Sequence, residues 1–325
     1  MKKFYPLKLK GVTKSPIWGG TRLPREWNKC APDGGTVGES WELTVRQKEM
    51  CTVENGALSG MTVGALLREY PNELIGKSTT ANGEFPLLIK FIDAADRLSV
   101  QVHPNDAYAA RVESDRGKTE MWYIVDADED AEIICGLVDG IDNAAFCAAL
   151  HKGELMSALK TQKVRAGETY FIPAGLPHAI GKGILIAEIQ QNCDLTYRVY
   201  DYNRRGADGS LRELHIEKAC DVIRPFIEEE IDAIRYSRGL PASRTDVLAD
   251  CDYFRVEKLD LLKNAQTLTQ NGYFLRHLLA IEGEGIIECD GTSYSFCRGD
   301  SILLPACLES LTLSGDGTVL ISTAY

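Results

Sequence analysis

Two stretches far apart in the chain restrict its possible folds more than any other feature: Leu98-Ser99-Val100-Gln101-Val102-His103-Pro104-Asn105, and Gly167-Glu168-Thr169-Tyr170-Phe171-Ile172-Pro173-Ala174-Gly175-Leu176-Pro177-His178. Side chains alternate along extended backbone, so Ser99, Gln101 and His103 share one face while Leu98, Val100 and Val102 share the other. The second stretch predicts a strand from Thr169 to Ile172, then a Pro-Ala-Gly turn that swings His178 back across the sheet. Two imidazoles distant in sequence then converge.

A divalent cation needs further donors, and Gly117-Lys118-Thr119-Glu120-Met121-Trp122-Tyr123-Ile124-Val125 offers one, because Glu120 opens a strongly β-prone run. Gln101, His103, Glu120 and His178 make a mixed nitrogen and oxygen ligand set. Such a set suits one Zn²⁺ per chain and also accepts Fe²⁺, Mn²⁺ or Co²⁺, with positions left open for water or substrate. Taken singly, each of these residues reads as an ordinary core, loop or strand-end side chain. Their joint placement favours the metal.

At 325 residues with 44% hydrophobic side chains, the chain has material for one or two cores, and two domains are expected. A formal net charge of −11 speaks against nucleic acid and anionic membranes as partners. The N-terminus lacks the apolar core of a signal peptide, and no apolar run reaches the ~18 residues of a membrane span. A cytoplasmic protein is expected. The ten cysteines are scattered without a C-x-x-C pair, which predicts a reduced chain in which Cys135, Cys147 and Cys193 act as small hydrophobes.

The helical signal is sparse: one helix from Met61 to Leu74 with Thr62 as cap, two short ones from Asn143 to about Leu159 broken near Gly153, and one from Arg212 to Ile223. The remainder, rich in β-branched and aromatic residues between turns, predicts a mainly β protein. The boundary is expected between Tyr236 and Ser243, giving domains over 1–236 and 243–325. Within the second domain, Arg298-Gly299-Asp300-Ser301-Ile302-Leu303-Leu304-Pro305-Ala306 echoes residues 166–174, but Cys307 and Ser310 stand where Gly175 and His178 would be. A second barrel without a metal is expected there, with His277, like His151 and His215, packed or on the surface. If residues 188–198 are extended throughout, Glu188, Gln190, Asn192, Asp194, Thr196 and Arg198 form one polar face. That face meets either solvent or a wet barrel mouth.

Gly167, Pro173, Gly175 and His178 satisfy G-x5-P-x-G-x2-H, which resembles the second motif of the cupin barrels. More closely, Gln101-Val102-His103-Pro104, Gly117-Lys118-Thr119-Glu120, residues 173–179 and the run from Asp194 to Tyr202 resemble the short bacterial form of type I mannose-6-phosphate isomerase. The similarity extends from Ile17-Trp18-Gly19-Gly20 through Gly38-Glu39-Ser40-Trp41-Glu42 to Arg212-Glu213-Leu214-His215-Ile216. The resemblance implies two double-stranded β-helix (cupin) barrels with a few short helices, in a monomer or homodimer. It also implies a metal-dependent interconversion of D-mannose 6-phosphate and D-fructose 6-phosphate through an enediol. Arg198 then supplies fixed positive charge, Lys118 moves a proton if a nearby cation depresses its pKa, and Asp194 is the rival base. Ser99 and Lys182 are candidate substrate contacts. The chain departs from the long family members in carrying Gly117 where a histidine precedes the lysine. Two rivals stay open at this level, an Fe²⁺ oxygenase and a non-catalytic sugar-binding cupin.

Overall fold

The computed structural model describes residues 3–46, 49–78, 84–206, 209–238, 246–262, 265–269 and 274–325. Two sheets build the first barrel. One has six strands, ordered Thr169–Ile172, Glu120–Ala127, Ile184–Gln191, Leu87–Ala94, Glu39–Leu43, Val12–Lys14. The other has five, ordered Leu159–Lys163, Glu132–Leu137, His178–Ile180, Val100–Val102, Tyr197–Tyr200. The pairings within both are antiparallel.

The period of two explains how the barrel interior is divided. Along Leu87–Ala94 every residue is buried, yet Leu87, Ile89 and Phe91 join one core while Ile92 and Ala94 join another and Lys90 faces the same way as these. The strand Ile184–Gln191 repeats the arrangement: Leu185, Ala187 and Ile189 face the first core, and Ile184 and Ile186 the second, with Glu188 next in register. Glu120–Ala127 does likewise through Met121 and Tyr123 against Trp122 and Ile124. These central strands are thus covered on both faces, which is why they read as largely apolar runs rather than as alternation. Inside the barrel, Ile124, Ile172, Ile184 and Ile186 meet Ile133 and Ile180 of the opposite sheet as an apolar plug. Beyond the plug the inward positions turn polar.

The outer face of the five-stranded sheet buries Val100, Val102, Ile134, Ala179 and Val199 under helices, chiefly through Phe146, Leu155, Ala219 and Ile223. The outer face of the six-stranded sheet packs on a nine-stranded sheet formed mostly by residues after 246, whose long strands Arg276–Cys289 and Ser310–Ala324 pair over most of their length. The strand Leu7–Lys10 pairs with Ser301–Leu304 and so belongs, by hydrogen bonding, to this C-terminal sheet. The expected boundary between Tyr236 and Ser243 falls largely on residues 239–245, outside the described residues. The internal echo has a structural counterpart: Gly167 and Gly299 both turn with positive φ (90° and 87°) immediately before the strands Thr169–Ile172 and Ser301–Leu304.

Helices depart from the sequence expectation where backbone chemistry intervenes. The segment from Met61 to Leu74 is two helices, Val63–Glu69 and Pro71–Ile75. Thr62 caps the first by accepting from the Ala65 N–H at 3.1 Å, and Pro71 ends it because the residue before proline avoids helical angles; Tyr70 sits at φ −138°, ψ 53°. The helix Asn143–Lys152 ends at Gly153 in the left-handed conformation, and a short turn Leu155–Ala158 follows, as expected. Helix Ile216–Val222 starts later than expected, leaving residues 212–215 outside it. Helix Asp106–Val112 was hidden by the motif before it: Asn105 caps it, accepting from the Tyr108 N–H at 2.9 Å.

The expectation of a fully reduced chain is corrected by a disulfide between Cys147 and Cys220. Their Cα atoms lie 5.8 Å apart across the packed helices Asn143–Lys152 and Ile216–Val222, a separation that disulfide geometry permits. Two residues 73 apart in sequence become neighbours only through helix docking, so spacing gave no warning.

Truncating the apolar plug should destabilise the barrel. Ile186→Ala is expected to cost about 2–5 kcal/mol of unfolding free energy, read by denaturant titration. A loss below about 1 kcal/mol would show that the two sheets do not depend on this contact.

Candidate metal centre and substrate cavity

The four expected ligands arrive from three strands, Gln101 and His103 from one of them. His178 pairs in register with Gln101, and Gln101 pairs in turn with Arg198 on its other side. Glu120 opens its strand opposite both Ile172 and Gln190. His103 follows the strand Val100–Val102 directly, and the Gly175 N–H donates to its carbonyl at 2.9 Å, tying the two motifs together.

The result is a triad of His103, Glu120 and His178, buried, with candidate ligand atoms all within 4.8 Å of one another. His103 Nε2 stands 3.5 Å from Glu120 Oε2, and His178 Nε2 stands 3.4 Å from Glu120 Oε1. Among the described residues, neither ring nitrogen of His103 has a hydrogen-bond partner, nor does His178 Nε2. Buried polar atoms left without partners are costly, and a cation is what this donor set would satisfy. His178 Nδ1 is held by the Leu176 carbonyl at 2.8 Å, the outer contact that orients an imidazole ligand and frees its other nitrogen. The residues present therefore fit a divalent metal. Gln101, half-buried in the cavity wall, flanks the triad.

Electrostatics agree. Burial, with the charge of Lys118 and His178, holds the His103 imidazole neutral well below its ordinary range. Burial pulls His178 down to about 4. Both rings are thus ready to ligate at neutral pH. Burial, and then the carboxylate of Glu188, push Glu120 up to about 7; a bound cation would favour its ionised form.

Beside the triad lies a cavity of about 510 Å³ whose wall carries Lys90, Lys118, Glu188, Asp194, Arg198 and His215. Lys118 bridges the two, lining the cavity with Nζ 3.0 Å from Glu120 Oε2. Its pKa is raised: burial lowers it, but Glu120 and Glu188 outweigh that. The protein's own charges therefore work against the depressed lysine expected from the sequence. Lys90 Nζ lies 3.2 Å from Glu188 Oε1, 3.7 Å from Glu39 Oε2 and 3.9 Å from Asp194 Oδ1. The Trp122 indole N–H spans the two acids, 3.0 Å from Glu120 Oε1 and 3.3 Å from Glu188 Oε2. Arg198 donates from Nε to Ser99 Oγ at 3.2 Å and from Nη1 to the Glu213 carbonyl at 3.0 Å.

Among the expected site residues, Ser99, Gln101, Lys118, Asp194 and Arg198 share this cavity and His103, Glu120 and His178 form the adjoining triad. Lys182 does not join them. It lines a separate cavity of about 280 Å³ with Arg97, Met156 and Tyr202, because residues 181–183 form the turn after the strand that carries His178, beyond its inward-facing end. The expected continuous polar face also breaks: the strand stops at Gln191, Asn192 turns inward to donate to the Phe85 carbonyl at 3.0 Å, and extended backbone resumes at Tyr197. Sequence reading missed Lys90, Glu39 and Arg212, and set His215 aside as packed or surface. A lone lysine in the run Leu87-Leu88-Ile89-Lys90-Phe91-Ile92 was the available signal, since an unpaired charge rarely enters a buried strand. His277, by contrast, is buried in the C-terminal sheet with Nε2 2.8 Å from Ser301 Oγ.

Residues 7–165 match the family model of the phosphomannose isomerase type I catalytic domain, and residues 243–324 that of the mannose-6-phosphate isomerase cupin domain. The chain is 40% identical over 319 residues to the mannose-6-phosphate isomerase ManA of Bacillus subtilis, covering 98% of both. The chain belongs to the type I phosphomannose isomerase family. A mannose-6-phosphate isomerase of Streptococcus mutans is 37% identical, again over 98% of each chain. The crystal structure of the mannose 6-phosphate isomerase from Bacillus subtilis superposes with a TM-score of 0.85 at 33% identity, covering 98% of this chain and 99% of that one. The mainly β cupin architecture is that of this family.

His178 gives the site a pH signature. Its folded-state value of about 4 lies below the ordinary imidazole value near 6.5, so the unfolded chain binds the proton first. In metal-stripped protein its contribution to stability is present above pH ~6.5 and is lost as pH falls towards ~4. The difference in melting temperature between wild type and His178→Asn should therefore change over that window; a constant difference would refute the neutral buried ring.

Proposed function

We propose that this chain is a metal-dependent aldose-ketose isomerase interconverting D-mannose 6-phosphate and D-fructose 6-phosphate. The observation that carries it is a buried His103, Glu120 and His178 triad joined through Lys118 to a cavity lined by paired acids and bases. The donor set suits one Zn²⁺ per chain, with Gln101 as fourth ligand. Bound there, the metal would act as a Lewis acid towards the sugar carbonyl and hydroxyl oxygens.

The protein's groups divide the remaining chemistry. The C2 proton leaves, an enediol forms, and a proton arrives at C1 while carbonyl and hydroxyl exchange places. Lys118, kept protonated by Glu120 and Glu188, offers N–H donors to the oxygen that gains negative charge. Asp194, on the cavity wall beside Lys90, is the proton carrier between C2 and C1. Arg198, fixed by Ser99 and the Glu213 carbonyl, contributes permanent positive charge. Lys90 neutralises Glu188, so that Glu188 and Glu120 can share one buried interior.

Further aspects of this reading are a cytoplasmic location, a small-molecule sugar phosphate as partner, a monomer or homodimer, and no binding to nucleic acid or membranes. No helix among the described residues is long and apolar enough to cross a membrane. The division into a catalytic barrel over 1–236 and a C-terminal barrel over 243–325 is supported by the family match to residues 243–324, with Leu7–Lys10 pairing into the latter's sheet.

Conversion of mannose 6-phosphate to fructose 6-phosphate should vanish on chelation and return with Zn²⁺, with or without O₂. Turnover untouched by complete metal removal would refute the reading, and a requirement for O₂ would favour the oxygenase. Asp194→Asn is expected to lower kcat about 10²- to 10⁴-fold, and Arg198→Ala about 10²- to 10³-fold, each with metal content unchanged.

A further inference from the structure

The segment that delivers Lys118 to the cavity is held by its backbone. Successive amides run towards Glu120, and each has an acceptor. The Gly117 N–H donates to Asp106 Oδ1 at 2.9 Å, the Lys118 N–H to the Pro104 carbonyl at 3.0 Å, and the Thr119 N–H to Gln191 Oε1 at 2.8 Å. Pro104 and Asp106 belong to the stretch directly after His103, so the lysine segment is fixed against the chain that presents one imidazole of the triad. The contact is close enough to select the residue. A Cβ on Gly117 would stand 2.4 Å from the Asp106 backbone nitrogen and 2.6 Å from the Asn105 carbonyl carbon, so glycine is what lets the two segments meet.

Asp106 joins the supports of this segment to one another. Its Oδ1 also accepts from Gln191 Nε2 at 3.1 Å, and the Gln191 N–H donates to the Thr119 carbonyl at 3.2 Å, so the carboxylate and the buried amide brace the same stretch together. Its Oδ2 accepts from the Tyr253 hydroxyl at 2.9 Å. Tyr253 stands directly before the strand Phe254–Asp260 of the C-terminal sheet, and its carbonyl accepts from the Tyr325 N–H at 3.2 Å. A tyrosine of that sheet thus reaches, through one carboxylate, the backbone beside Lys118. Asp106, Gln191 and Tyr253 stand outside the lining of the substrate cavity, so whatever they contribute passes through the segment they hold. Lys118 Nζ, 3.0 Å from Glu120 Oε2, has little room for error, since a misplacement of about 1 Å in a reacting group costs on the order of 10²-fold in rate.

We propose that Asp106 is a positioning residue for Lys118: its carboxylate, steadied by Gln191 and by Tyr253 of the C-terminal sheet, sets where the lysine meets the sugar oxygen. The inference rests on the isomerase reading for the role of Lys118, while the bracing of its backbone does not.

The test uses the metal-loaded full chain as wild type, Asp106→Ala, Asp106→Asn and Tyr253→Phe. On each are measured amide hydrogen exchange, kcat and KM for D-mannose 6-phosphate, metal content and melting temperature. Exchange is read at Lys118 and Thr119, whose own acceptors every variant keeps, so a rise there reports a loosened segment rather than one lost bond. Asp106→Ala should speed that exchange about tenfold or more. It should also lower kcat about 10- to 100-fold with KM within about threefold and metal content unchanged. Asp106→Asn retains an oxygen for the Gly117 N–H and can donate to the Tyr253 hydroxyl, so it should stay within about threefold of wild type. Tyr253→Phe removes one solvent-exposed bond and should lower kcat only about two- to fivefold, with faster exchange at Lys118. The proposal is overturned if Asp106→Ala leaves exchange at Lys118 and Thr119 or kcat unchanged, if kcat falls only in step with lost metal or lost folded protein, or if Asp106→Asn loses as much as Asp106→Ala. Should Asp106→Ala not fold, unchanged exchange and kcat in Tyr253→Phe overturn it. Faster exchange in Asp106→Ala, in a protein whose wild type does not isomerise the sugar, keeps the bracing and removes the isomerase.

Discussion

Two lysines and two glutamates buried together inside one barrel are the constraint on which the rest of this structure depends. Lys90, Lys118, Glu120 and Glu188 expose almost nothing to solvent, and each such charge taken from water costs several kcal/mol unless its partners are close and well placed. Contacts of 3.0 and 3.2 Å and the Trp122 indole between the two acids meet that demand. Removing any single charge would leave another buried and uncompensated. The cluster is therefore as much a demand on the fold as a product of it.

The surrounding architecture meets the demand by covering the strands that carry these charges on both faces. Because Leu87–Ala94 and Ile184–Gln191 lie between the C-terminal sheet and the barrel interior, their outward residues anchor them in a large apolar core while their inward residues are free to be polar. The C-terminal sheet thus serves the site without contributing to its cavity, by holding rigid the strands that carry Lys90, Glu120 and Glu188. The five-stranded sheet receives the same support from helices Asn143–Lys152 and Ile216–Val222. An apolar plug then closes one part of the barrel, leaving the triad and the cavity in the polar remainder.

Legibility in the sequence followed the range of the interaction. The strand Thr169–Ile172, the start of a strand at Glu120 and the caps at Thr62 and Gly153 emerged from local chemistry: period two, turn glycines and a side-chain oxygen three residues before an amide. His103, Glu120 and His178 were recoverable because they stand in spaced motifs, and the same motifs carried the resemblance to the family. Lys90 escaped because its meaning lies in the acids across the sheet rather than in its neighbours. Arg212 and His215 were read into a helix because helical spacing fits them; the His215 N–H bond to the Arg198 carbonyl and the Arg198 N–H bond to His215 Nδ1 tie residue 215 to a strand instead. Lys182 failed in the opposite sense, a cation close in sequence to His178 that its turn carries into another cavity.

By itself the sequence determined the mainly β class, the ligand types and the strands that present them, because alternation and turn chemistry act over a few residues and leave a periodic trace. Only the tertiary structure decided which charges share an interior and that Cys147 and Cys220 join across docked helices. Those outcomes depend on strand register and on the packing of sheet against sheet. Residues brought together in that way leave no periodic trace along the chain.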